Sequence, residues 1–160
     1  MDSRQRMTRA WMFADYWGAG DYVDRPEEEQ LDYGKALLMA ANGDGRLTPT
    51  EKDWVLGYVA TGGHSDEILD QLRAFDGEED FAALFTRGPN VFVKRVCIYD
   101  AIRASGADGD LADDEIAAIR SMAARLDVTD GVVDELVGLY REEQDLKARR
   151  LKACFPMPVP

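Results

Sequence analysis

Residues 40–51 read Ala40-Ala41-Asn42-Gly43-Asp44-Gly45-Arg46-Leu47-Thr48-Pro49-Thr50-Glu51, and residues 104–115 read Ala104-Ser105-Gly106-Ala107-Asp108-Gly109-Asp110-Leu111-Ala112-Asp113-Asp114-Glu115. Each copy places an Asp-Gly pair two residues ahead of a Leu, and a Glu seven residues after the Asp. Asp-Gly forms tight turns because Gly accepts positive φ and Asp bonds to nearby backbone. Thr48-Pro49-Thr50-Glu51 then has the form of a capping box, with a Thr cap, Pro in the first helical position and Glu at the third. Both stretches are therefore acidic elbows between two helices.

The echo extends beyond the elbows. At the offset of 64 that separates Asp44 from Asp108, Glu51 meets Glu115, Val55 meets Ile119, Ser65 meets Thr129, Ile68 meets Val132 and Leu72 meets Leu136. Each half reads as helix, elbow, helix, cap, helix, with repeats at about 31–75 and 95–139. The expected fold is an all-α single domain of about seven to eight helices, built from two helix–loop–helix-type repeats about a pseudo-twofold axis. Residues 1–26 form an N-terminal helix and linker, 27–153 the duplicated domain, and 154–160 a Pro-rich tail that is expected to be extended and mobile.

The outlying segments follow the same rules. Met7, Ala10, Trp11, Ala14 and Trp17 recur at three- and four-residue steps, which predicts a helix over 3–17 with these residues on its packing face. Pro26 and Glu27 to Glu29 start the helix that enters the first elbow. Phe81, Leu84 and Phe85 suggest a short connecting helix stopped at Gly88-Pro89. Val91 to Ala104 is apolar nearly all round; its β-branched residues would suit a strand, but its place before the second elbow makes it a helix. Thr129 is expected to cap a last long helix ending near Ala153, where Lys147, Arg149, Arg150 and Lys152 suit the negative dipole end.

The chain of 160 residues, 46% of them hydrophobic, can bury a core of its own. It has no apolar run of the roughly 20 residues that a membrane span requires, and Met1 to Arg9 lacks the apolar stretch of a secretory signal. A cytoplasmic setting is the expectation. Cys97 and Cys154 have no metal-type spacing and read as one buried and one tail thiol. The net charge of −12 repels phosphate backbones and anionic lipid, which excludes nucleic acid as the expected partner. It leaves a divalent cation, a protein partner, or both. The single histidine, His64, sits in a Gly-Gly-His-Ser connection and reads as a loop residue, so neither a zinc site nor a hydrolase triad can be assembled around it. No phosphate-binding or dinucleotide fingerprint is present.

The chemistry available lies in the elbow oxygens. Set against a calcium-binding EF-hand loop, the first elbow has Asn42 at the third position, Asp44 at the fifth, Gly45 at the sixth and Glu51 at the twelfth. Ala40 replaces the first carboxylate. The second elbow retains Asp108 and Glu115 but lacks side-chain oxygens at Ala104 and Gly106. Tight binding of the EF-hand kind is thus not expected; a weaker calcium or magnesium site, or a composite site drawing acids from both elbows, is. Two readings of Asn42, Asp44, Glu51, Asp108 and Glu115 stand side by side. Turn and cap chemistry accounts for them as elbow-shaping residues. Against this, Ala112 cannot cap, yet Glu115 stands where Glu51 does, which points to a second role as metal ligands.

The two elbows, together with Ile116 to Val128, resemble the TerB-like family, which includes tellurite-resistance proteins and the amino-terminal domain of certain membrane-associated J-domain chaperones. The shared pattern is an apolar helix ending in Ala/Ser-x-x-Asp-Gly, a Glu, and a helix ending in Leu before a new cap. Ala104 to Thr129 fits it closely, and Tyr33 to Ser65 more loosely, with Gly62-Gly63-His64 departing from Leu126-Asp127-Val128. The resemblance covers roughly residues 31 to 140. It implies an all-helical duplicated fold, a metal-binding acidic surface to which Asp44, Glu51, Asp108 and Glu115 correspond, and a stress-response or scaffolding role in a non-enzymatic module. Two other readings remain: a metal-free protein–protein module using aromatic surface around Trp11, Tyr16 and Trp17, and an enzyme with a carboxylate acid/base pair between the repeats.

Overall fold

A computed structural model of the chain describes residues 2–18, 27–43, 45–79, 84 and 91–155, the side chains of 91–93 excepted. Seven α-helices run through the described residues, and no strand occurs among them: α1 (Ser3–Trp11), α2 (Glu27–Ala41), α3 (Pro49–Thr61), α4 (Asp66–Ala74), α5 (Val91–Ser105), α6 (Asp113–Arg125) and α7 (Asp130–Cys154). The all-α expectation is met, and Val91 to Ala104 is helical despite its β-branched residues. Of the expected short helix near 81–85 only Leu84, which is buried, is among the described residues; the linker 19–26 and the tail 156–160 lie outside them.

The duplication is visible in the helix boundaries. Shifting α2 by 64 residues gives α5 end for end, and the same shift carries α3 onto α6 and the start of α4 onto the start of α7. Backbone geometry repeats too. Gly45 and Gly109, both with positive φ (81° and 100°), close the two elbows. Gly63 (φ 78°) and Asp127 (φ 57°) close α3 and α6 in the same left-handed conformation, so the unlike sequences Gly62-Gly63-His64 and Leu126-Asp127-Val128 make one kind of stop. At Asp127 the Val128 amide bonds back to the Ala123 carbonyl at 2.9 Å and the Asp127 amide to that of Ala124 at 3.2 Å, the paired bonds that finish a helix on a left-handed residue.

The core lies between the repeats. α2 and α5 pack against each other along Ala36, Leu37, Leu38, Ala40 and Ala41 on one side and Cys97, Ile98, Ala101, Ile102 and Ala104 on the other, all buried. The alanines let the two helices approach closely, and Val55, Val59, Ile119, Ala123, Ile68 and Leu72 close over them. The third helices of the repeats differ. Ile68 and Leu72 of α4 are buried, whereas their counterparts Val132 and Leu136 are half-buried and Val133 and Val137 take the innermost places. α7 packs on α5 and α6 as α4 packs on α2 and α3, so it keeps the partners of its counterpart but presents a different set of residues to them. Thr129 has the extended backbone of a cap but makes no capping side-chain bond, unlike Ser65, whose Oγ accepts from the Ile68 amide at 3.4 Å.

One element departs from its expected packing. The helix over 3–17 is α-helical only to Trp11 and continues as a π-helical turn, Met12–Tyr16. The wider i→i+5 turn shifts the register, so Met12 is buried and Tyr16 and Trp17 half-buried, while Met7, Ala10, Trp11 and Ala14 face solvent. Trp11 and Met7 are 66% and 71% exposed. The even spacing read along 3–17 assumed a single helical period that the chain does not keep.

A carboxylate pair between the two elbows

Glu51 and Glu115 are each the third residue of a helix, α3 and α6. Each folds back so that its Oε2 accepts the amide of its own cap residue, Thr48 at 2.5 Å and Ala112 at 2.7 Å. Thr48 reciprocates through Oγ1 to the Glu51 amide at 3.3 Å. Ala112 has nothing to return, and the Glu115 amide bonds instead to Asp114 Oδ1 at 3.1 Å. Bending back turns both carboxyl groups inward, and they are 2% and 7% exposed.

The repeats bring the two together. The 3₁₀ turn of the second elbow, Gly106–Asp108, packs on α3. The first elbow lies on α6 so tightly that a Cβ on Gly43 would come within 2.4 Å of the Ala118 Cβ. This brings the Glu51 carboxyl close enough to act on Glu115. The Glu115 carboxyl is pushed up to about 7, first by burial, then by the Glu51 carboxyl and the charge of Asp108, against the bond from the Ala112 amide. Two buried carboxyls sharing a space behave as a pair holding one proton between them. The two helix N-termini that converge here, each a partial positive charge, help the site carry negative charge.

The other expected ligands sit around this pair. Asp108 is exposed; its Oδ1 accepts from the Asp110 amide at 3.2 Å, and its charge reaches Glu115. Asn42 is turned into its own elbow, where its Oδ1 accepts from the Leu47 amide at 3.0 Å. Asp44 lies outside the described residues. Among the described residues no group of three or more His, Cys, Asp and Glu is arranged to hold a metal ion, so the pair would need oxygens from Asp44, the elbow backbone or water to complete a cation's shell. His64 stands in the α3–α4 connection as expected, with burial and the Arg9 charge lowering it to about 4. Cys97 is buried and Cys154 exposed, both free thiols.

A second polar cluster had no forerunner in the sequence reading. Asp100 of α5 is fully buried, with its Oδ2 accepting the Tyr33 hydroxyl at 2.6 Å and Arg103 Nη1 3.5 Å from its Oδ1. Burial raises it to about 6, opposed by the hydroxyls of Tyr33 and Tyr58 and by the Arg103 charge. The Arg103 guanidinium lies over the rings of Tyr16 at 4.1 Å and Trp54 at 4.9 Å. Its Nε is 3.8 Å from Glu143 of α7, which also accepts the Tyr99 hydroxyl at 3.0 Å. Cation–π contact and ion pairing thus fasten the N-terminal π-turn to the body. The one sequence signal was Asp100 and Arg103 three apart in a stretch, Val96 to Ala104, that is otherwise apolar.

Fold and site together define a class: a duplicated all-helical module whose equivalent elbow glutamates meet in the interior. Among solved structures the chain is similar to a tellurite resistance protein from Nostoc punctiforme, at 32% identity and a TM-score of 0.86, over 100% of this chain and 99% of that one. No family model matches the chain, and no curated protein does. The chain belongs to the TerB-like tellurite-resistance family. Among the described residues no helix is long and apolar enough to cross a membrane.

Proposed function

We infer that the protein is a binding module that takes up a divalent cation, calcium or magnesium, between Glu51 and Glu115. The observation that carries this is the pairing itself: two carboxyl groups from equivalent positions, buried together, with the charges of Glu51 and Asp108 acting on Glu115. Burying like charges is costly unless a proton or a cation stands between them. A hard cation prefers such oxygens, and each glutamate fixes one oxygen on its cap, which leaves the other available to a cation. Asp108 and, by repeat equivalence, Asp44 would complete the set, and Asn42 holds the first elbow in shape. The tellurite-resistance neighbour supports a stress-response role for this binding.

The same geometry meets part of what an acid–base enzyme needs, since one of two facing carboxyls titrates near neutrality. Exposures of 2% and 7% and the commitment of both groups to caps favour a held ion over a substrate. Calorimetry with calcium, magnesium, manganese and zinc tests the reading. Binding tighter than about millimolar that is lost in Glu51→Gln and Glu115→Gln supports it. No binding, or binding indifferent to both substitutions, overturns it.

A further inference from the structure

α7 is the longest helix, and only one of its sides is used by the core. Val133, Val137 and Tyr140 are buried against the body. On the opposite side run Glu135, Leu139, Glu142, Leu146, Arg149 and Ala153, alternating steps of four and three residues, all exposed. Leu139 and Leu146 are 48% and 57% exposed. A stripe that repeats every seven residues stays on one face of a helix and is the seam along which two helices pack. Leu139, Leu146 and Ala153 mark that period. The other exposed apolar pair near the end of the helix, Leu151 and Phe155, continues the core-facing side and belongs to a different surface.

The charges on the stripe choose the occupant. Glu142 lies one turn before Leu146 and Arg149 one turn after it, so the pattern reverses sign about Leu146. A parallel pairing would carry Glu142 and Arg149 of the second copy to the opposite side of the seam, where they meet neither each other nor the first copy's pair. An antiparallel pairing about a twofold axis at Leu146 sets Glu142 of each copy beside Arg149 of the other, on the same side of the seam, twice. An isologous contact requires this kind of self-complementarity. An anionic lipid surface would instead call for bases alone.

We propose that two copies of this chain associate through the outward face of α7, antiparallel, with Leu146 packed on its counterpart and Leu139 facing Ala153 of the second copy. The two bodies then lie on the far sides of the paired helices. The seam from Leu139 to Ala153 is about 22 Å long at 1.5 Å per residue, which places it among small, reversible interfaces. The Cys154 thiols sit about 24 Å apart along the pair, so they do not cross-link it.

Sedimentation equilibrium of the full chain from about 1 to 500 µM tests this. The expected result is a monomer–dimer equilibrium that Leu146→Glu abolishes with helicity by circular dichroism unchanged. Glu142→Arg and Arg149→Glu should each weaken it about tenfold or more, and the two together should restore it. As a check independent of solubility, Leu146→Cys in a Cys154→Ser background should oxidise to a covalent dimer, and Ala153→Cys in that background should not. A chain monomeric throughout that range overturns the proposal, as does a dimer indifferent to Leu146→Glu. So do a double charge reversal that fails to restore pairing, and a monomer that binds anionic vesicles through this helix.

Discussion

Replacing Glu115 by Gln should make the protein more stable above neutral pH. The side chain titrates at about 7 in the folded chain, against an ordinary value of 4.5. Between those values the folded state holds a proton that the unfolded state has released, so the folded state binds more protons and stability falls as pH rises. Below about pH 4 both states are protonated and the contribution vanishes; above about pH 8 it is complete. A shift of about 2.5 units corresponds to about 3 kcal/mol, of which about 2 to 3 should be lost between pH 5 and pH 8. Glutamine keeps the shape, can accept from the Ala112 amide and can donate to Glu51, but has no proton to lose. Urea denaturation of both proteins in chelator at several pH values measures the difference. The expected outcome is a Glu115→Gln curve about 3 kcal/mol above wild type at pH 8 and close to it near pH 5. Asp100, also raised, to about 6, falls equally in both proteins and cancels in the comparison. Parallel pH profiles for the two proteins would refute the coupled-pair reasoning.

Asp127 holds a left-handed φ of 57° where the first repeat has Gly63, so Asp127→Gly should raise stability by about 0.5 to 1 kcal/mol in thermal denaturation, its exposed 3.5 Å contact with Lys94 being worth little. The Ser105 hydroxyl is buried without a hydrogen-bond partner among the described residues, and the first repeat has Ala41 there, so Ser105→Ala should stabilise by about 1 kcal/mol. Tyr140 donates to the buried Gly106 carbonyl at 2.7 Å, so Tyr140→Phe should cost about 1 to 2 kcal/mol by urea titration. A Cβ on Gly106 would lie 2.1 Å from that hydroxyl, so Gly106→Ala should cost about 1 to 3 kcal/mol.

The fold was legible because duplication makes each half a check on the other. Val91 to Ala104 is ambiguous alone, yet its place one repeat after 27–41 decides it. Glu115 was legible for a related reason: the Ala112 side chain cannot return a capping bond, so a Glu opposite Glu51 drew notice, although the structure shows that Glu115 still accepts the Ala112 amide and completes that half of the cap. That they approach could not be read, since it depends on how the second elbow packs on α3 and the first on α6. The Asp100–Arg103 cluster was hidden because its members come from five separate elements and no spacing joins them. The N-terminal face was misread because a π-turn changes the period within the helix, and nothing in Met12 to Tyr16 announces it.

The central claim is that a cation can replace the proton between Glu51 and Glu115. An anomalous difference map from crystals grown with manganese measures this directly, because it locates the metal without reference to any ligand. A peak within about 2 to 2.6 Å of an oxygen from each glutamate, absent in Glu115→Gln crystals, is the predicted result. Manganese bound only elsewhere on the acidic surface, with no peak between the two carboxyls, would contradict it.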